Sequence, residues 1–414
     1  MLTAVVLGAL AAAAYRVMTV DERARARQRL LIAVRWLRDY GRRDLEPFWR
    51  SLRERTPTVR VIPVVAALNV VVFIGLVFSA GSASDPVTLL RWGASFGPAT
   101  TNGGWWRIAS ATFVHGGFIA LLIDTAALVQ LGFLLERILG AYPLAAAYGS
   151  AAILAAVVHL WDAPMTVGMG ASGAVYGMYG LFLAELAKGR LRQHPTIPMI
   201  AAKRLLPVTV AFVLFNLLDQ NLTALAELTG LAVGIVFGFL VIGDVRQQMP
   251  SQRRVGIAVA AALTTAVVCS VPLRGIVDIR PEIKRLVDLE RETADAYKVS
   301  FAGVGKNGRD IDVAVRVIET RIVPALREAE ARVTALRGVP PEDRWQVTAA
   351  LQYLQLRAQG WKLRVDGLRG TSAPVRVGSS AQAAAHYRTT LVTLGQAEAA
   401  ERSALQTLER LTSP

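Results

Sequence analysis

Apolar residues in this chain gather into long uninterrupted runs before position 272 and into spaced, amphipathic repeats after it. A membrane-spanning helix needs about 20 mainly apolar residues. Seven runs approach or meet that length: Val61 to Phe78, Ile108 to Leu135, Ala141 to Leu160, Ala171 to Leu186, Leu205 to Leu218, Leu222 to Ile242 and Val255 to Val271. An eighth, Leu2 to Tyr15, is short and alanine-rich. No basic residue precedes it, so it fits a secretory signal poorly and an outward-facing amino terminus better; whether it spans is left open. Leu30 to Arg38 reads as a basic amphipathic stretch suited to an anionic lipid surface.

Beyond Pro272 the pattern changes to a balanced mixture of Arg, Glu, Asp and Ala with helical periodicity. Helices are expected over Pro281 to Ala302, Asp310 to Leu336, Pro341 to Leu368 and Ser380 to Leu411, separated by glycine-containing turns. That predicts an antiparallel helical bundle. No metal-ligand spacing, phosphate loop or catalytic pattern occurs in it, so binding a protein partner or regulation is its expected role. The fold class is therefore all-α: a polytopic membrane protein with a C-terminal soluble helical bundle. Its expected divisions are 1–60 (short apolar segment and basic region), 61–245 (membrane core), 246–272 (additional transmembrane helix) and 273–414 (bundle).

Composition agrees with this division. The 414 residues are 53% hydrophobic and 19% charged, with a net charge of +15. Much of the basic excess flanks apolar runs, where it sets topology, and no stacking aromatics accompany it; nucleic acid is not an expected partner. Between Arg16 and Arg60 lie thirteen arginines against six acidic residues. That region, the loop carrying Lys188, Arg190, Arg192, Lys203 and Arg204, and the Arg246 to Arg254 turn fall on one side by alternate counting, which makes that side cytoplasmic. Ser79 to Thr101, the turns at Asp162 and at Asp219 to Asn221, and everything after Pro272 then face outward. Trp105, Trp106 and Trp161 stand at segment edges, where interfacial aromatics belong. The expected location is a bacterial inner membrane. The single Cys269 cannot form an intrachain disulfide.

Candidate chemistry lies inside two apolar runs. Ser172 sits in Gly170-Ala171-Ser172-Gly173, and Glu227 opens a later run. A carboxylate at membrane depth must be paired or lie against water, so it marks a functional site by default. Gly170, Gly173, Gly177 and Gly180 in one run, and Gly230, Gly234 and Gly238 in the other, permit close backbone approach. If those faces meet, Ser172 and Glu227 come within hydrogen-bonding reach. The plainer alternative is that the glycines only pack and the serine bonds its own helix backbone.

Five motifs in order carry more information: Trp106-Arg107; Phe113-Val114-His115-Gly116-Gly117; Glu136-Arg137 with Gly140; Gly170-Ala171-Ser172-Gly173-Ala174-Val175-Tyr176-Gly177; and Ala226-Glu227-Leu228-Thr229-Gly230-Leu231-Ala232-Val233-Gly234. Over roughly Arg91 to Gly243 they resemble the rhomboid intramembrane serine proteases. The resemblance implies a six-helix core, a water-accessible cavity open outward, and cleavage of transmembrane protein substrates within the lipid bilayer near its outer boundary. It implies Ser172 as nucleophile, Tyr176 packed beside the base, His115 in a mainly structural place, and no metal or organic cofactor.

Three positions depart from that family. Glu227 stands where its base histidine is, Ala120 where its second histidine is, and Asp124 where its oxyanion-stabilising asparagine is. His159, His194 and His386 do not fall where a replacement base is expected. The same pair of exchanges, Glu for base and Asp for oxyanion donor, resembles the sedolisin serine proteases, which work in acid. A carboxylate accepts the serine proton as a weaker base than imidazole, and a protonated Asp124 donates a hydrogen bond as asparagine does. The expectation is a serine-type endopeptidase with a Ser172/Glu227 dyad, oxyanion contacts from Asp124 and Ser172, support from Gly170, Gly173 and Gly230, and an acidic optimum. The alternative is an inactive pseudoprotease that binds transmembrane helices or acts as a membrane scaffold. For orientation the outcome is specific: a reporter fused after Pro414 is exported and one inserted near Gln193 stays cytoplasmic, and the reverse pair of results overturns the topology.

Overall fold

The computed structural model describes residues 50, 52–54, 56–80, 84–188, 196–218, 224–242, 250–302, 309–372 and 380–412. The apolar segment at 2–15, the amphipathic stretch at 30–38, His194 and the turn at 219–221 lie outside the described residues. So do most of the basic connectors used for orientation. The described residues form two compact units, 1–274 and 275–414. Both are helical; the only β-type pairing among the described residues is an isolated bridge between Ser95 and Gly168.

The first unit begins with α1 (Val61–Ala80), followed by three short helices, α2 (Pro86–Arg91), α3 (Gly97–Thr101) and α4 (Arg107–Ser110). The long helices α5 (Phe118–Leu139), α6 (Ala141–Asp162), α7 (Ser172–Lys188), α8 (Thr196–Leu218), α9 (Ala224–Val241) and α10 (Gln252–Ser270) follow. Among the described residues, five helices are long and apolar enough to cross a membrane: α1, α5, α6, α9 and a span from Gln252 to Leu273 that contains α10. The apolar Leu205–Leu218 part of α8 and the 17-residue α7 are shorter. The protein is an all-α, multi-pass integral membrane protein. One predicted boundary moves: the run expected from Ile108 is helical as a span only from Phe118, because Gly116-Gly117 breaks the chain after a 3₁₀ turn at Ala111–Phe113.

Buried polar groups fix this unit at two places. Glu136, fully buried on α5, accepts hydrogen bonds from the backbone N–H groups of Arg60 (2.6 Å), Val61 (3.0 Å) and Ile62 (3.1 Å). These are orphan donors at the start of α1, and an ionised acceptor there also suits the helix dipole. Arg137 beside it donates to the Thr56 carbonyl at 3.0 Å. In the α2–α4 region Arg107 donates to the carbonyls of Leu90 and Ala94 and lies over the Trp106 ring, 4.7 Å from its centroid.

Helix α7 is central, packed against α6 on one side and α9 on another. A methyl group at Gly230 or Gly234 would overlap the backbone of Gly173 or Gly177, and one at Gly180 would overlap Leu231 and Ile235. On the α6 side, Ala155 and Ala151 fill the space beside Gly173 and Gly177. The pairings 173–230 and 177–234 advance together, so α7 and α9 run parallel. The pairings 173–155 and 177–151 run oppositely, so α6 is antiparallel to both.

The second unit is an up-down-up-down bundle of α11 (Arg280–Ala302), α12 (Arg309–Val317) continuing into α13 (Val323–Ala335), α14 (Arg344–Ser372) and α15 (Ser380–Thr412). The helix predicted over 310–336 is interrupted by a π turn at Ile318–Ile322 just before Pro324, which cannot supply a backbone donor. Its core contains an ion-pair network: Arg357 pairs with Glu290 at 2.6 Å and with Glu401 at 3.1 Å, while Tyr353 donates to Glu290 at 2.7 Å. Burial opposes the Arg357 charge, but the Glu290 and Glu401 carboxylates more than offset it and hold the guanidinium's ionisation above its ordinary value.

Removing one side of a buried pair leaves a bare charge and costs about 3–5 kcal/mol. Glu290→Ala should therefore lower the unfolding midpoint of the bundle far more than Glu398→Ala, an exposed carboxylate on α15. In the membrane unit, Gly230→Leu should destabilise the fold by about 1–3 kcal/mol or more, because the new side chain meets the Gly173 backbone. Thermal unfolding in detergent checks both, and a Gly230→Leu protein of parental stability would show that the α7–α9 contact is misplaced.

Candidate active site

Ser172 is the first residue of α7, and its place is built by the segment before it. Ser95 and Gly168 exchange backbone hydrogen bonds at 2.9 and 2.8 Å. Gly170 then donates its N–H to the carbonyls of Val114 (2.8 Å) and Ala111 (3.0 Å). Gly170 has φ +97°, a conformation that glycine adopts without steric cost. The next N–H, that of Ala171, donates to Asp124 Oδ2 at 3.0 Å. Every residue from 168 to 171 is thus held except Met169, and the chain enters α7 with Ser172 turned into a cavity.

That cavity is lined by Ser172, Gly170, Gly173, Ala226 and Glu227, with Ser95, Thr112, Gly168 and His159 among its other walls. Ser172 and Glu227 are both buried, at 5% and 7% exposure. Glu227 occupies the first turn of α9, and the parallel packing of α7 and α9 puts the N-terminal ends of both helices at the same cavity. Tyr176, one turn after Ser172, lies close to Glu227. Its ring packs against Phe212 of α8 with centroids 5.0 Å apart.

The remaining sequence candidates are placed as follows. Gly170 and Gly173 line the cavity, and Gly230 lies against the Gly173 backbone. Asp124 and His115 are buried together behind Gly170, with His115 Nε2 3.4 Å from Asp124 Oδ2 but without hydrogen-bond geometry. His115 Nδ1 lies 3.3 Å from the Phe113 carbonyl. The structure therefore brings Ser172, Glu227 and Tyr176 together, and joins Asp124 to them through the Ala171 N–H rather than through the cavity wall.

His159, which the sequence did not offer as a replacement base, stands on the cavity wall near the end of α6, 6% exposed, with Nε2 3.3 Å from Thr166 Oγ1. The available signal was the face Ala152, Ala155, Ala156, His159, which follows helical spacing and carries one polar residue at its outer end. Among the described residues no cluster of His, Cys, Asp and Glu has the form of a metal site.

If Asp124 fixes the backbone that carries Ser172, Asp124→Ala should leave the buried Ala171 N–H unpaired and cost about 1–3 kcal/mol, whereas Asp124→Asn keeps an acceptor and should cost less. Unfolding midpoints of the two variants test this; equal losses would argue against the bond's importance.

Residues 102–244 match the family model described as Rhomboid domain. The chain is 29% identical to the rhomboid relative YdcA of Bacillus subtilis (strain 168) over 142 residues, 34% of this chain and 69% of that one. It is 26% identical to the rhomboid protease AarA of Providencia stuartii over 196 residues, 42% of this chain and 70% of that one. It is 31% identical to the rhomboid protease GluP of Bacillus subtilis (strain 168) over 117 residues, 28% of this chain and 23% of that one. The matched region spans the motifs, most of the cavity lining and helices α5 to α9, and over residues 102–244 the chain carries a Rhomboid domain.

Proposed function

We propose that the protein is a serine endopeptidase that cleaves transmembrane-anchored proteins near the outer boundary of a bacterial inner membrane, using Ser172 as nucleophile and Glu227 as base. The observation that carries this reading is the shared cavity: a serine at a helix N-terminus and a carboxylate at the N-terminus of the neighbouring parallel helix both line it. The rhomboid proteases among the relatives supply the reaction class.

As Ser172 Oγ attacks the scissile carbonyl carbon, its proton passes to the Glu227 carboxylate and the carbonyl oxygen becomes an oxyanion. The first N–H groups of α7, including that of Ser172, have no intrahelical acceptor and present the positive end of the helix to that charge. Asp124 acts on the oxyanion side through the backbone, holding Ala171 through Oδ2. On collapse the C–N bond breaks and Glu227 returns the proton to the leaving amine. Water then attacks the acyl-enzyme, giving a proton to Glu227, and Ser172 is regenerated.

The domain division at 245, 272 and the bundle, and an outward-facing bundle, belong to the same proposal. The bundle's ion-paired core gives it a fixed shape suited to a protein partner.

Because Glu227 acts as a base only when ionised and is a weaker base than imidazole, cleavage should peak below neutrality. Purified protein with a transmembrane reporter, assayed across pH, should show cleavage that Ser172→Ala abolishes. Glu227→Gln should reduce kcat by about 100-fold or more, since an amide cannot accept the serine proton. No Ser172-dependent cleavage at any pH would replace this reading with a non-catalytic binder of transmembrane helices; full activity in Glu227→Gln would reject the base.

A further inference from the structure

The bundle is joined to the last candidate span by very little chain. That span ends at Leu273, and two residues later Gly275 is already held by the bundle. Gly275 (φ +77°) and Gly338 (φ +79°) meet so closely that a methyl group at Gly338 would overlap the Gly275 carbonyl, and Val277 donates its N–H to the Gly338 carbonyl at 3.2 Å. Two residues reach at most about 7 Å, so Gly275 cannot lie farther than that from the end of the span. The start of α11, the turn after α13 and the start of α14 share this linked end of the bundle, since Asp343 lies near Arg280 and Asp278.

Four exposed arginines stand there: Arg274, Arg280, Arg337 and Arg344. None is ion-paired among the described residues. The acidic groups nearby are mostly less exposed. Asp278 and Asp343 are half-buried, Asp278 accepting the Arg280 N–H at 2.9 Å; Glu342 is exposed, and Glu409 and Arg410 of α15 offset each other. Trp345, in the first turn of α14, is 52% exposed, whereas Trp361 farther along the same helix is 2% exposed. Side chains lean toward the N-terminus of their helix, so Arg344 and Trp345 on α14 and Arg280 on α11 all lean toward the linked end. Exposed arginines around an exposed indole are the chemistry of a membrane interface, where the ring sits among headgroups and the guanidinium forks take phosphates.

We propose that the linked end of the bundle is a lipid-binding surface: Arg274, Arg280, Arg337 and Arg344 pair with the phosphates of anionic lipid headgroups, and Trp345 seats its ring in the interface beside them. The bundle is thereby held upon the bilayer, and the surface requires neither protease activity nor a particular side of the membrane.

The test places a fluorophore on the full chain carrying Cys269→Ser, through Glu342→Cys at the linked end or Lys298→Cys, 18 residues and about 27 Å along α11 from Arg280. The protein is reconstituted in vesicles of phosphatidylcholine, with or without phosphatidylglycerol, containing headgroup-spin-labelled phosphatidylcholine in both leaflets as quencher. With phosphatidylglycerol, quenching at 342 should exceed that at 298 by about twofold or more, and it should fall in phosphatidylcholine alone. Arg337→Gln together with Arg344→Gln should remove the phosphatidylglycerol-dependent part, and Trp345→Ala should lower quenching at 342 in both lipids. Equal quenching at 342 and 298 overturns the proposal. Quenching at 342 that ignores phosphatidylglycerol, the paired arginine changes or Trp345→Ala overturns it as well.

Discussion

The contact on which the rest of the site depends is backbone against backbone. Gly173 and Gly177 of α7 meet Gly230 and Gly234 of α9 so closely that no side chain fits between them. In a lipid environment the hydrophobic effect gives neighbouring helices little reason to associate, so close van der Waals packing of small residues must do it. Because the contact is made by two parallel helices in register, it fixes more than their distance. It brings both N-termini to one cavity, and with them Ser172 and Glu227. The alanine face of α6 closes the other side of α7 and carries His159 to the same opening.

Polar groups in this core serve as fastenings wherever the backbone leaves its regular hydrogen bonding. Glu136 holds the start of α1, Arg107 holds the turns after α2, and Asp124 holds the peptide before Ser172. Each is a side chain that would be costly to bury alone and is satisfied by main-chain groups that would be costly to leave unpaired. Asp124 shows what this means for the departures from the family pattern. An acceptor there keeps the Ser172 segment fixed, so the exchange retains a structural function whatever it does at the oxyanion.

The membrane helices and the bundle were legible in the sequence because each follows from periodicity over many residues. Runs such as Val61 to Phe78 and Ala141 to Leu160 became α1 and α6 with ends shifted by two residues. The Ile108 boundary failed because hydropathy cannot see that Gly116-Gly117 ends one backbone course and starts another. The joint placement of Ser172 and Glu227 could be inferred from glycines at matching intervals in two segments. His159 could not, since its part in the cavity depends on how α6 is rotated against α7, and that rotation is set by contacts between residues far apart in the chain. Asp124's bond to Ala171 was hidden for the same reason.

Relocating a carboxylate to the base position changes what the neighbouring residues must provide. A neutral histidine base can sit in an apolar site without a counter-ion, whereas a carboxylate base is useful only in the form that burial disfavours. With Glu227 as the proposed base, its surroundings would have to favour the charged form without filling the space the substrate needs. Tyr176, on the same helix as Ser172, stands close to Glu227. A Ser-Glu site in a membrane thus asks more of its surroundings than a Ser-His site does.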